Sequence, residues 1–363
     1  MTLKVSAFDS IDDLPATFAA SASYAQLGET FLCAEWLRCI YTTALEKSMS
    51  ARIYAATAND SPRGLLACGI DRETKVLRSL TNYYSQDYRP TLLSGLFSEM
   101  AVSDRSLAEF INATVDAIAG ERPRWSQLEF EYLRSDRSDS QFLRSALRRH
   151  GFISIASRQY ENWYLTCDGL DFDAYFAQRS SQLRNTITRK EKKIKKSHAL
   201  EIKIYTRNDE ELTKAVAEYN AIYNSSWKNP EPFPDFIPTF ARMCADLGTL
   251  RMGVAYLDGQ AAAAQFWIVS NARALIYKLA YAEQFAELSV GSVLSRELFR
   301  HALDVDRVKE IDYGIGSEPY KREWMNSVRQ FNRLSAYNLA SFVGASRLAR
   351  RACLAAFKRI AKK

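Results

Sequence analysis

Apolar residues recur along this chain in two rhythms, one close to four and one close to two, and their order sets out the architecture before any single residue does. After an acidic opening, Phe31, Trp36, Leu37 and Ile40 fall at the spacing of a short helix. Short apolar runs at 51–57, 64–70 and 76–80 follow, separated by Asn59-Asp60-Ser61-Pro62 and Asp71-Arg72-Glu73, which predicts a strand meander. Helical spacing returns over 107–118, a strand pattern over 125–130, a helix over 141–150, and strand-like segments over 151–165.

The second half repeats that order. Phe172, Phe176, Leu183, Ile187 and Ile194 share one face of what the spacing predicts to be one long helix. Asn208 with Glu211 fits a capping box, and Leu212, Val216, Tyr219 and Tyr223 continue it as an apolar stripe. Runs at 250–257, 261–270 and 274–281, joined by Asp258-Gly259 and by a turn at Asn271, predict an antiparallel meander. A polar loop over 282–288 precedes a helix opened by Gly291, with Val293, Leu294, Leu298 and Ala302 on its face. A strand over 308–313 then ends at Gly314-Ile315-Gly316.

The expected fold class is therefore α/β, layered, in two tandem halves, each a mixed and mostly antiparallel sheet flanked by helices. A length of 363 residues and 47% hydrophobic content agree with two packed cores. Domain limits are expected at 1–165 and 166–340, with 341–363 as a basic amphipathic C-terminal helix. No apolar run is long enough to span a bilayer, and no basic segment followed by an apolar stretch opens the chain. A cytoplasmic protein is expected, with its six cysteines reduced in the core and without C-x-x-C pairs.

Charge changes this picture locally. The net +7 is concentrated in two places, since 178–196 carries eight cations against Glu191 and 347–363 carries seven cations and no acid. Everything else is net negative, so the basicity belongs to two patches with separate roles. In the tail, Leu348, Cys353, Leu354, Phe357 and Ile360 lie between the cations, as in helices that rest on anionic membranes, and peripheral contact with an inner membrane is one expectation. Docking of the same helix on the protein is the other.

The chemistry is expected where Ser289-Val290-Gly291-Ser292 opens a helix after the meander. A helix start offers unpaired amides and a positive dipole end, and a glycine lets a diphosphate approach. Ordinary capping by Ser289 or Ser292 is the plainer alternative. Asp312, near the end of a strand, is a candidate base, Lys321 a candidate stabiliser of negative charge, and Tyr320 a proton relay. Against these stand a turn cap for Asp312 and a surface ion pair for Lys321. His150, His198 and His301 lack metal-ligand spacing, so no metal is expected. Tyr83, Tyr84, Tyr88 and Asp87 form a polar aromatic group suited to a sugar or to turn packing, and Trp227 with Pro230, Pro232 and Pro234 marks a loop.

Taken as a set, Phe172-x-x-Tyr175-Phe176-x-x-Arg179-Ser180-x-x-Leu183-Arg184, Ser289-Val290-Gly291 with Leu294, Asp312-Tyr313-Gly314-Ile315-Gly316 and Tyr320-Lys321-x-x-Trp324 resemble the GCN5-related N-acetyltransferase (GNAT) superfamily. Within it they resemble the BioF2-like, cellulose-biosynthesis CelD-like branch, related to the FemAB aminoacyltransferases. The resemblance implies an acyltransferase using acetyl-CoA or another acyl-CoA, with the thioester beside the strand over 274–281. It implies donor contacts at Ser289, Val290, Gly291, Ser292 and Lys278, and substrate contacts at Arg179, Arg184, Tyr281 and Trp324. The acceptor it implies is an amine or hydroxyl of a small molecule or saccharide in envelope polysaccharide synthesis. The loop departs from the superfamily's Gln/Arg-x-x-Gly-x-Gly/Ala pattern, which leaves aminoacyl-tRNA as an alternative donor, with nucleic acid otherwise not expected. A non-catalytic scaffold of polysaccharide synthesis is the reading outside enzymology.

Overall fold

The computed structural model describes residues 2–82, 84–93, 104–226 and 229–360. It divides into one compact unit made of Met1–Leu27, Phe31–Tyr160 and Gln330–Lys363, and a second made of Gly28–Thr30 and Glu161–Arg329. Tyr83 and Trp227, both singled out in the sequence, lie outside the described residues.

In the first unit, strands β1 (Lys4–Phe8), β2 (Met49–Ala58), β3 (Ser61–Asp71) and β4 (Val76–Ser79) pair antiparallel in sequence order, and β5 (Thr91–Leu92) adds to β3. The helix Asp104–Gly120 then leads to β6 (Gln127–Arg134), which lies parallel to β4. Asn59 and Asp60 take positive φ at the β2–β3 turn, as a two-residue hairpin requires. The core gathers Tyr54, Leu66, Phe110, Val115, Phe130 and Leu147 between the sheet and the helices Asp104–Gly120 and Asp139–Arg149.

The strand β7 (Phe152–Thr166) ends the first unit at Tyr160 and opens the second at Glu161. The second unit repeats the local scheme. β8 (Leu200–Tyr205) edges an antiparallel series with β9 (Leu250–Leu257), β10 (Gln260–Ser270) and β11 (Arg273–Tyr281). The helix Val290–Arg300 leads to β12 (Glu310–Ile315), parallel to β11 and antiparallel to the end of β7. Both units thus show a meander, a helix and a parallel return strand, a tandem mixed α/β arrangement. Asp258 and Gly259, and Asn271 and Ala272, carry the positive φ angles of the two hairpin turns.

Several expectations are corrected by local chemistry. The single helix expected over 172–194 is two, Phe172–Ala177 and Ser181–Ser197, because the Ser180 hydroxyl accepts the Leu183 amide and starts the second. The cap of Glu210–Asn224 is Asp209, which accepts from the Leu212 amide, while Asn208 donates to Asp246. Strands β1 and β8, the helix Phe236–Asp246 and β13 (Ser327–Asn338) were not legible in the pattern. From Gln330 the chain belongs to the first unit, where β13 pairs with β6 from Phe331 to Tyr337, so the second unit ends before 340. Five cysteines are buried and Cys353 is exposed. No helix among the described residues is long and apolar enough to cross a membrane.

Candidate active site

The site begins with a strand pair that separates. β11 and β12 pair only at Arg273–Glu310, Ala274–Ile311 and Leu275–Asp312. Beyond that point Leu279, Ala280 and Tyr281 of β11 and Tyr313 of β12 line a cavity of about 470 Å³. Ser289, Val290, Gly291 and Ser292 line it too, as do Leu183 of the basic helix and Tyr320, Glu323 and Trp324 beyond β12.

The helix start is built by backbone, with no help from a side-chain cap. Ser289 takes φ 56°, a left-handed turn out of the short 3-10 segment Glu283–Leu288, and its carbonyl accepts the amides of Ser292 and Val293. The capping alternative for Ser289 is therefore not what the structure shows. A Cβ built on Gly291 meets nothing nearer than Tyr281 Cδ1 at 3.9 Å, so the first turn is open at this glycine.

One buried amide fixes the helix to the sheet. Gln265 on β10 donates to the Gly291 carbonyl at 2.9 Å and to Ser295 Oγ at 2.8 Å, while its own carbonyl accepts from Trp267 Nε1. The two donated bonds hold the start of the helix in place, and the accepted one orients the amide. Tyr313 is buried beside Ser295, and its phenol is pushed well above its ordinary value by burial, with Tyr320 adding to the shift. Tyr320 meets Tyr313 edge to face at 5.6 Å, and burial pushes its own phenol up to about 12.

The other expected site residues do other work. Asp312 is 2% exposed, with Oδ2 bonded by Arg273 at 3.2 Å and by Arg329, and Oδ1 bonded by Asn162 at 2.6 Å and the Gly314 amide at 2.7 Å. Burial opposes its charge, yet Arg273 and Arg329 hold the carboxyl below its usual range. An ionised carboxylate with both oxygens taken is a poor proton acceptor, and Asp312 is absent from the cavity wall. Lys321 is also buried, donating to the Ile315 carbonyl and pairing with Glu318 at 2.8 Å, and burial lowers its pKa. Asp312 does cap the turn that follows it, through the Gly314 amide, but from a buried position, and Lys321 forms its ion pair with the exposed Glu318 while itself buried.

Arg179 donates to the Trp324 carbonyl and stacks over Tyr175, and Arg184 donates to the Arg179 carbonyl, so both brace the turn between the two helices. Lys278 pairs with Glu231 at 3.2 Å, off the cavity. The structure thus brings together Ser289, Val290, Gly291, Ser292, Tyr281, Tyr320 and Trp324, and leaves Lys278, Arg179, Arg184, Asp312 and Lys321 away from the wall. Sequence reasoning missed Gln265, Ser295, Tyr313 and Glu323. A glutamine inside the apolar run 261–270 was the available signal.

In the basic helix Ser181–Ser197, Leu183, Ile187 and Ile194 are buried while Arg189, Lys192, Lys193 and Lys196 are exposed. Glu191 joins it to the neighbouring helix through Arg296 at 2.7 Å. Tyr84 and Tyr88 are buried and Asp87 pairs with Arg137, so they form no exposed sugar platform. His150 and His198 pair with Asp116 and Asp258, and no group of three potential metal ligands occurs among the described residues.

Residues 181–322, less than half of the chain, match the family described as an acetyltransferase (GNAT) domain. Among solved structures, FemX is similar over 92% of this chain and 97% of its own, at 10% identity and a TM-score of 0.55. The C-terminal domain of a putative lysylphosphatidylglycerol synthetase from Agrobacterium fabrum is similar over 87% of this chain and 90% of its own, at 13% identity and a TM-score of 0.52. L-PGS from Bacillus licheniformis is similar over 83% and 88%, at 12% identity and a TM-score of 0.51. At these identities the likeness is one of fold. No curated protein matches the chain in sequence.

Proposed function

We propose that this protein is an acyltransferase that moves an acyl group from acyl-CoA to an amine or hydroxyl, using the cavity between β11, β12 and the start of the helix Val290–Arg300. The observation that carries this reading is the cavity itself. It is bounded by two strands that stop pairing and by an uncapped, glycine-open helix start, and all of its lining except Glu323 and Trp324 falls inside the segment that matches the acetyltransferase domain. Amides at such a terminus suit a diphosphate, and Leu279 to Tyr281 offer a strand edge to a pantetheine arm.

In the reaction, the acceptor nitrogen or oxygen forms a bond to the thioester carbon, the carbon–sulfur bond breaks, and the acceptor proton leaves. We assign proton removal to the Glu323 carboxylate on the cavity wall, and protonation of the departing thiolate to the Tyr313 phenol, which burial keeps neutral. Asp312 holds Arg273, Arg329 and the β12 backbone in place behind it. A saccharide hydroxyl or amine, implied by the CelD-like resemblance, is the acceptor class to try first.

The test is calorimetric titration with acetyl-CoA and longer acyl-CoAs, alongside thermal unfolding. A bound donor at 100 times its dissociation constant stabilises the fold by about 2.7 kcal/mol. No heat and no stabilisation with any acyl-CoA would remove the donor assignment. A second reading, aminoacyl-tRNA as donor, is favoured by the exposed cations of the basic helix together with the FemX fold likeness. Transfer that requires charged tRNA and stops on ribonuclease treatment would replace the first reading with it.

A further inference from the structure

The C-terminal helix Phe342–Ile360 carries an apolar stripe that nothing among the described residues covers. Phe342 is 89% exposed, Phe357 71% and Leu354 54%. Phe342, Ala349, Cys353 and Phe357, at intervals of seven, four and four, lie along one side, all exposed. Arg350, exposed as well, borders them.

The opposite side is fixed to the first unit. A Cβ on Gly344 would stand 2.3 Å from the Asn338 carbonyl and 2.5 Å from that of Ser126, so the helix sits against this backbone as closely as a glycine permits. Arg347 donates to the Thr74 carbonyl at 2.8 Å and Arg351 to the Tyr337 hydroxyl at 3.1 Å. The docked side is thus defined, and the exposed phenylalanines are left facing away from it.

We infer that this outer face lies on an anionic lipid surface, as an in-plane amphipathic helix that seats Phe342 and Phe357 among the acyl chains. Charge decides between occupants. Arg347 and Arg351 are taken by the docked side, but Arg350 borders the stripe, Lys358 and Arg359 follow in the sequence, and the helix has no acid, so a second copy laid on the same face would meet cations with cations. An anionic bilayer accepts both the aromatic rings and the charge. Polyanionic RNA would take the cations but gives no reason for the apolar stripe. This inference is independent of the acyltransferase reading.

The test is co-sedimentation of the full chain with vesicles of mixed phosphatidylcholine and phosphatidylglycerol, against pure phosphatidylcholine vesicles. Selective, salt-sensitive binding to the mixed vesicles is expected. The double variant Phe342→Ser/Phe357→Ser should weaken it by roughly tenfold or more, since each ring loses its transfer from water. Arg350→Glu should weaken it about fivefold or more, from the charge it removes at the surface. Both changes are at exposed positions, so circular dichroism and unfolding midpoints should stay as in the wild type. The inference is overturned if the wild type stays in the supernatant or if the double variant binds as well as the wild type. It is also overturned if light scattering shows a lipid-free dimer that the serines dissolve, or if RNA binding is retained by the serine variant while lipid binding is absent.

Discussion

Arg273 lies 3.2 Å from Asp312 Oδ2, the same oxygen that Arg329 bonds, so one buried carboxylate pairs with two guanidinium groups at the base of β12, and Glu310 pairs with both as well. Removing it takes one of two carboxylate partners from the buried Arg329 and the half-buried Arg273, and breaking a buried pair costs about 3–5 kcal/mol in comparable cases. Asp312→Ala is therefore expected to lower stability by that order in urea unfolding. Asp312→Asn, which keeps the shape, should also lose stability while kcat of the folded fraction changes less than about tenfold, well short of the 100- to 10,000-fold that a catalytic base contributes. A stable Asp312→Asn protein with abolished turnover would return the role of base to this residue.

Tyr313 differs, because it lines the cavity while its side chain is buried in the core. Burial holds its pKa well above the ordinary value, so the phenol keeps its proton at neutral pH. Tyr313→Phe is expected to reduce kcat roughly 100-fold or more with KM little changed, as loss of a positioned proton donor does. Steady-state kinetics with a fixed acceptor decides this. Equal loss in KM with kcat preserved would make Tyr313 a binding group.

The pattern of the chain carried the meander, the helix after it and the return strand because each has a strong apolar period bounded by turn residues such as Asp258-Gly259. The same logic located Ser289 to Ser292 at a helix start, where the cavity opens. It failed for β8, whose sequence LEIKIY alternates on a half-exposed edge, and for β13, whose partner β6 lies nearly 200 residues earlier. Side-chain roles were harder still. Asp312 and Lys321 look like exposed chemistry in a glycine-rich stretch, and only tertiary contacts show them buried and paired. Gln265 acquires meaning only once the Gly291 carbonyl comes within 2.9 Å of it.

Gly291 separates fold from function at one atom. With Tyr281 at 3.9 Å as the nearest obstacle, a methyl group fits, and Gly291→Ala is expected to leave stability unchanged or raise it by up to about 1 kcal/mol. Gly291→Glu adds bulk and negative charge where the diphosphate is proposed to sit. It should abolish heat on titration with acetyl-CoA while the unfolding midpoint stays close to that of the alanine variant. Full-strength binding by the glutamate variant would move the donor elsewhere.

Glu191 ties the basic helix to the helix that starts at the cavity, and its ionisation gives that tie a pH window. The hydrogen bond from Arg296 is the main cause holding its pKa at about 2, against partial burial, where the ordinary value is 4.5. A carboxyl whose pKa is lower folded than unfolded contributes its stability in full above the unfolded value and loses it as pH falls through the folded one. The contribution is thus complete above about 4.5 and fades towards about 2. Glu191→Gln lacks the titrating charge, so its unfolding temperature should lie below that of the wild type at neutral pH, with the gap closing across that window. Thermal melts of both proteins from neutral pH to strong acid measure the gap directly, and a gap that stays constant across the window would show that the Glu191–Arg296 pair contributes through packing instead of charge.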